Sequence, residues 1–278
     1  MRSLARTTDG EALLGDETGY VPLSAAAPGV ETIREALTLG SQSLPEPSTA
    51  FASRVPAEDL SFASPLPDPG KLLGIGLNYA DHAADLDERP PEEPASFFKP
   101  TSAATGPGGP IRLPPAERTD HVTAEAELAV VVGRTCRDVD AAAADAVIAG
   151  YLPVIDVTAE DVLRRNPRFL TRAKSFDTFL VFGSHIAVPE TGTDLAGLEV
   201  RTVVNGEVRA RNTVDNMHVS PRELVAFHSR VMTLEPGDII STGTPGAHVI
   251  RPGDEVRAEV DRFGSARADV VAGPEEIV

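Results

Sequence analysis

Tryptophan is absent from this chain of 278 residues, and a single cysteine, Cys136, has no partner for an intrachain disulfide. That count suits a reducing interior, and it suits many secreted proteins as well. Basic residues are scarce: 25 Lys and Arg stand against 42 Asp and Glu, a formal net charge of −17. Phosphate recognition relies on clustered Lys and Arg, so the deficit argues against nucleic acid as a partner. Solubility accounts for most of such a charge, and a smaller part fits carboxylates gathered around a cation. No apolar run approaches the roughly 18 residues that a membrane span requires. The opening MRSLARTTDGEALLGD also lacks the uninterrupted apolar core of a signal peptide. These absences point to a soluble cytoplasmic protein with neither membrane nor nucleic-acid partners.

The composition is otherwise that of a globular protein, 41% apolar and 24% charged. The length suits one large domain or two modest ones. Residues 1–66 read as a small N-terminal domain with a linker. TTDGEALLGDETGYVPLS has the pattern of a hairpin around Asp9-Gly10, and GVETIREALTL has helical spacing at Ile33, Ala36 and Leu37. A Pro- and Ser-rich stretch follows, as expected of a surface linker. Residues 67–278 read as the main domain, in which short β-type runs alternate with Gly/Pro turns. LEVRTVVNGEVRARNTV predicts a hairpin around Asn205-Gly206, and DEVRAEVDRFGSARADVV predicts a closing strand pair. SPRELVAFHSRVMT predicts a helix capped by Ser220, with Pro221 in its first turn and Glu223 completing a capping box. DAAAADAVIAG predicts a second helix ended by Gly150. Many strands and few helices give an α+β, β-dominated fold, a mixed barrel or roll.

The chemistry-bearing residues begin in HVTAEAELAVVVG, residues 121–133. Strand alternation points Glu125 and Glu127 to the same side. They could lie on the solvent face of an edge strand. The run Leu128 to Val132, however, is apolar on both faces and indicates a buried strand. Parallel carboxylates at the mouth of such a strand repel unless a cation or proton relieves them. Asp156 ends the apolar run of GYLPVIDVTAEDVLRR, where Thr158 and Asp161 fit a capping box; Asp156 is either a plain turn residue or a third carboxylate. Three such groups would form an all-oxygen site for Mg²⁺, Mn²⁺ or Ca²⁺. In GIGLNYADHAADLDERP, helical spacing would set His82 against Asp85. The pair is either an ordinary surface contact or a general base for activating water.

The ordered segments GIGLNYADHAAD, ASFFKPTSAATGPGGPI, EAELAVVVGR, IDVTAEDV, AKSFDTF, VVNGEVRARNTVDNM and MTLEPGDIISTGTPG closely resemble the fumarylacetoacetate hydrolase family from about Lys71 to the C-terminus. The resemblance implies that family's mixed β-roll and a homodimer. It implies Glu125, Glu127 and Asp156 as ligands of Mg²⁺, with Mn²⁺ or Ca²⁺ as alternatives. It implies His82 as the water-activating base with Asp85 beside it, and Lys174 as the group that stabilises negative charge on the substrate. Tyr79, Thr178 and Thr244 would touch substrate. Lys99 would form part of the site wall or be a snorkelling surface lysine.

The sequence departs from the family pattern in four places. Glu160 stands where many members have a carboxylate-binding arginine, Leu163 where they have glutamine, Asp85 where a glutamate is common, and Thr123 where an acidic residue is frequent. Glu160 would repel a dicarboxylic substrate unless Arg164, Arg165 or Arg168 compensates. The expected function is metal-dependent hydrolysis of a C–C bond in a 2-oxo or 1,3-dioxo acid, such as an acylpyruvate. The alternative is a decarboxylase, isomerase or hydratase acting on a 2-oxo acid through the same metal-held enolate. A non-catalytic metal-bound scaffold is the rival from another class.

Overall fold

The computed structural model describes residues 1–48, 53–80 and 91–273. The first segment folds as strands β1 (Arg2–Thr7), β2 (Ala12–Asp16) and β3 (Gly19–Pro22), then helices α1 (Leu23–Ala26) and α2 (Ile33–Leu39). Strands β4 (Phe62–Ala63), β5 (Leu72–Gly76), β6 (Ala95–Lys99), β7 (Ala104–Thr105), β8 (Ile111–Leu113), β9 (Val122–Val132) and β10 (Ile148–Ala159) follow. Next come α3 (Glu160–Arg165), α4 (Leu170–Lys174), β11 (Leu180–Phe182), β12 (His185–Val188), β13 (Glu199–Val204) and β14 (Glu207–Thr213). The chain continues through α5 (Pro221–Val231), β15 (Ile239–Ser241), β16 (Ala247–Val249), β17 (Glu255–Val260) and β18 (Gly264–Ala272).

The larger sheet runs β3-β2-β1-β12-β10-β9-β15-β5-β6, with β4, β7, β11 and β16 attached at its flanks. The smaller runs β14-β13-β17-β18-β8 and packs against β9 and β10. The fold is α+β and β-dominated, as expected. Its sheets are open, however: the larger path ends at β3 and β6 and does not close into a barrel among the described residues. The N-terminal strands join this sheet, because β1 pairs antiparallel with β12 from Arg2↔Val188 to Ala5↔His185. No described helix is long and apolar enough to cross a membrane.

Strands β9 and β10 form the spine, paired over their full lengths and buried throughout β9. Alternation divides β9 between two cores. Ala124, Ala126, Leu128, Val130 and Val132 share a core with Val200, Val256 and Ala266 of the smaller sheet. On the opposite face, Ala129 and Val131 meet Leu37 of α2, Leu14, Leu152 and Val154. Glu125 and Glu127 have the same parity as Ala129 and Val131, so the carboxylates continue that second face.

The hairpin at Asn205-Gly206 forms as expected, with φ of 53° and 78° at the two turn residues, the left-handed conformation that a two-residue hairpin loop requires. α5 carries the expected capping box, in which Ser220 accepts from Glu223 N–H and the Glu223 side chain accepts in return. α2 is closed the same way by Thr32 and Glu35. Two local expectations fail. The alanine run 141–146 forms a 3₁₀ stretch, and the ladder claims the chain from Ile148 onward, so Gly150 sits inside β10 and ends no helix. Its backbone faces Ala187 so closely that a Cβ would lie 2.3 Å from the Ala187 carbonyl oxygen. Thr158 does not cap α3 either, because β10 extends to Ala159 and turns its hydroxyl inward.

Candidate active site

The register of the spine assembles the carboxylates. Asp156 lies directly opposite Glu125, and Val154 lies opposite Glu127. Facing residues of an antiparallel pair hold their Cβ atoms about 5 Å apart. One ligand oxygen from each of Glu125, Glu127 and Asp156 can be chosen so that all lie within 4.8 Å of one another, and all three residues are buried.

Neighbouring chain segments fix each carboxylate. Glu125 Oε1 accepts from the Thr158 hydroxyl at 2.6 Å, and Thr123 Oγ1 lies 3.4 Å away. Glu127 Oε2 accepts from the Ser241 hydroxyl and from Gly243 N–H at 2.9 Å. β15 brings both donors there by pairing with β9 at Ser241↔Ala129. Gly243 has φ +96°, and a Cβ there would lie 2.8 Å from the Asn78 Cβ, so the turn that aims this N–H needs glycine.

Two buried lysines face the acids. Lys174, at the end of α4, donates to Glu125 Oε2 at 2.9 Å and to Asp156 Oδ2 at 2.8 Å, and its ammonium sits 5.2 Å from the centre of the Phe97 ring. Lys99, two residues beyond Phe97 on β6, places Nζ 2.6 Å from Asp156 Oδ1. It also donates to the carbonyls of Lys174 at 2.6 Å, Phe179 at 2.8 Å and Val157 at 3.3 Å. Its ammonium is 6% exposed as a residue and fully engaged, which removes the snorkelling alternative.

The charges of this cluster do not balance evenly. Burial raises the Glu127 carboxyl, and the Asp156 and Glu125 charges push further against the relief from Lys174, to about 8. Burial would raise Asp156 too, but Lys174 and Lys99 outweigh it and hold that carboxyl below its usual range. Burial would lower Lys174, yet Asp156, Glu125 and Glu127 raise it. For Lys99, burial outweighs the attraction of Asp156, and its ammonium is pulled down. A divalent cation suits this donor set: three hard oxygens converge, and Glu127 is the carboxylate left short of positive charge.

The remaining expected site residues divide. Tyr79 is fully buried, and its hydroxyl has no hydrogen-bond partner among the described residues. Burial first, and then the Glu127 charge, raise its ionisation well above the usual phenol range. Thr244 is buried in the loop after β15, where its hydroxyl donates to Gly246 O at 3.1 Å. Thr178 instead uses its oxygen to accept the Arg112 N–H at 2.8 Å, from a backbone with φ +67°. His82 and Asp85 lie outside the described residues. Glu160 is buried, and Arg164 Nε meets it at 3.4 Å, the compensation that sequence reasoning asked for. Arg165 pairs with Asp161 instead. Sequence reasoning missed Ser241 and Gly243. The signal was present: their STG begins at the last residue of a buried apolar strand in DIISTG.

The fumarylacetoacetate (FAA) hydrolase C-terminal family matches residues 71–271. The chain belongs to the fumarylacetoacetate hydrolase family. Within it, a mitochondrial oxaloacetate tautomerase of Bos taurus is 35% identical over 263 residues, covering 90% of this chain and 83% of that protein. The structure of 5-carboxymethyl-2-hydroxymuconate delta-isomerase from Mycobacterium smegmatis superposes with a TM-score of 0.77 at 35% identity, over 99% of this chain and 100% of that one. Maleylpyruvate hydrolase from Sphingobium sp. SYK-6, in complex with manganese(II) and pyruvate, gives 0.80 at 28% identity, over 99% and 100%. Family members therefore include a hydrolase, an isomerase and a tautomerase.

Proposed function

We propose that this protein is a divalent-metal-dependent enzyme that hydrolyses a C–C bond in a 2-oxo or 1,3-dioxo acid. The observation that carries the proposal is the convergence of Glu125, Glu127 and Asp156 on one buried point, with Lys174 bridging two of them. Glu125, Glu127 and Asp156 would hold Mg²⁺ or Mn²⁺, with Ca²⁺ as a further candidate. The bound ion would supply Lewis acidity and a template for chelating the 2-oxo acid.

The chain's own groups do the rest. Lys174, kept cationic by three acids, faces negative charge that develops on a substrate oxygen. The Tyr79 hydroxyl, which has no hydrogen-bond partner among the described residues, is a donor for a substrate oxygen, and Thr244 contributes a polar wall. Lys99 holds Asp156 and the carbonyl of Lys174 in place. His82 is the proposed base that would take the proton from the attacking water, with Asp85 as its expected partner. Thr178, already engaged with Arg112, is the weakest of the proposed substrate contacts. The family resemblance also implies a homodimer, which light scattering checks.

A second proposal stands beside hydrolysis: tautomerisation or isomerisation of a 2-oxo acid on the same cluster. It is favoured by the 35% identity to a tautomerase and to an isomerase, against 28% to the hydrolase. Both use charge stabilisation on the substrate, and only hydrolysis consumes water. Absorbance and mass analysis of acylpyruvates and oxaloacetate, with Mn²⁺ and then with EDTA, tests both. Chelator-sensitive fragments carrying the mass of added water establish hydrolysis. A product of unchanged mass moves the assignment to the second proposal.

A further inference from the structure

We infer that Asn78 is a positioning residue that acts on Glu127 through a single peptide group, the one that joins Thr242 to Gly243. The inference rests on the proposed role of Glu127 in holding the metal.

That peptide is gripped at both ends. Its carbonyl, on Thr242, accepts from Asn78 Nδ2 at 2.7 Å, and its N–H, on Gly243, donates to Glu127 Oε2 at 2.9 Å. The two groups of a trans peptide lie in one plane and point in opposite directions. A rotation that freed the carbonyl would therefore swing the N–H away from the carboxylate. A hydrogen bond accepted by the carbonyl also polarises the peptide and strengthens its N–H as a donor. Glu127 depends on this donor more than its neighbours do on theirs. Lys174 bridges Glu125 and Asp156, whereas Glu127 Oε2 is held by the Ser241 hydroxyl and the Gly243 N–H.

The amide of Asn78 is itself fixed. Nδ2 also donates to Val219 O at 2.9 Å, and Oδ1 accepts the Val219 N–H at 2.8 Å. Two donors and an acceptor are needed at set places, a combination that a side-chain amide offers. Asn78 is 3% exposed, so water has no ready access to replace a lost partner. Its backbone carbonyl accepts the His218 N–H at 2.7 Å, and the next residue, Tyr79, bridges to Met217. The preceding residue, Leu77, has φ +57°, a left-handed conformation that persists in a leucine only where the surroundings impose it. The turn before α5 thus anchors Asn78, and Asn78 anchors the peptide that aims at Glu127.

Mn²⁺ calorimetry, together with amide exchange of the metal-free protein followed by NMR, tests the inference on Asn78→Ala and on Asn78→Leu, which keeps most of the volume. Loss of a hydrogen-bond partner behind a metal ligand costs about tenfold to a hundredfold in metal affinity, and that loss is expected in both variants. The Gly243 N–H should exchange about tenfold or more faster than in the wild type, while the Ile239 N–H, bound to Lys71 O at 2.8 Å, changes far less. A purely structural role for Asn78 would speed both amides equally and leave the Mn²⁺ affinity of the folded chain intact. That result overturns the inference and leaves the proposed function standing. Absence of Mn²⁺ binding by the wild type overturns both. Titration of wild-type protein with diamagnetic Mg²⁺ needs no variant: the Gly243 N–H and Asn78 side-chain amide signals should shift together, and an unmoved Asn78 signal also overturns the inference.

Discussion

The two ends of the β9–β10 ladder share strands, pairing and burial, yet they have opposite characters. At one end Ala129, Val131, Leu152 and Val154 face α2 and the N-terminal strands in a dry core. On the same face, a few residues along, Glu125, Glu127 and Asp156 face two lysines, two hydroxyls and a glycine N–H. The strands cannot account for the difference, because alternation and register continue unbroken from Gly150 to Ala159. The elements laid over each end decide it. Helix α2 supplies Leu37 and Ile33 to one; β6, α4 and the loop after β15 supply Lys99, Lys174 and Gly243 to the other. A buried carboxylate without such partners would neutralise itself by taking up a proton.

The comparison breaks most sharply at Glu127. Glu127→Ala removes one of the three converging carboxylates proposed to hold the metal and should lower metal-dependent turnover by about a thousandfold or more, while circular dichroism stays native. Wild-type turnover in that variant would contradict the metal assignment. Leu152→Ala attacks the other end. It leaves a cavity in the dry core and should cost about 2–5 kcal/mol in denaturant unfolding, with metal stoichiometry per folded chain intact. Loss of metal from a folded Leu152→Ala protein would show that the two ends are not separable.

A third expectation concerns pH. The Glu127 carboxyl is raised to about 8, so a proton must leave before it can act as a ligand. Mn²⁺ affinity should therefore rise with pH, by about tenfold per unit below 8, and level off above it. In metal-free protein this group's contribution to stability falls as pH climbs from 4.5 to 8, since the native state retains there a proton that the unfolded chain has lost. A flat affinity profile between pH 6 and 9 would show that Glu127 is ionised before metal arrives. The smallest effect lies far from both ends. Ser220→Ala removes the cap of α5 and should cost about 1 kcal/mol, seen as a lower Tm with unchanged Mn²⁺ binding.

Much of this was legible in the sequence where the determinants are local. Asn205-Gly206 and Ser220-Pro221 dictate their turn and cap through side-chain and backbone chemistry within four residues. The parity of Glu125 and Glu127 follows from strand alternation alone, and that of Asp156 from the matching apolar run before it. What could not be read depends on pairings between distant strands. Only the β15–β9 ladder brings Ser241 and Gly243 to Glu127, across 114 and 116 positions of sequence. Lys99 resembles any lysine after two phenylalanines until β6 is seen to end among the carbonyls of α4 and β10. The alanine run 141–146 has helical propensity, which loses to the ladder that begins at Ile148.

A Mn²⁺ titration of metal-stripped wild-type and Glu127→Ala proteins at pH 8, followed by electron paramagnetic resonance, tests the central claim most directly. One ion bound per wild-type chain, and none retained by the variant at the same concentrations, is the predicted result. Absence of binding by the wild type, or equal binding by both proteins, would mean that the carboxylate end of the ladder is not a metal site.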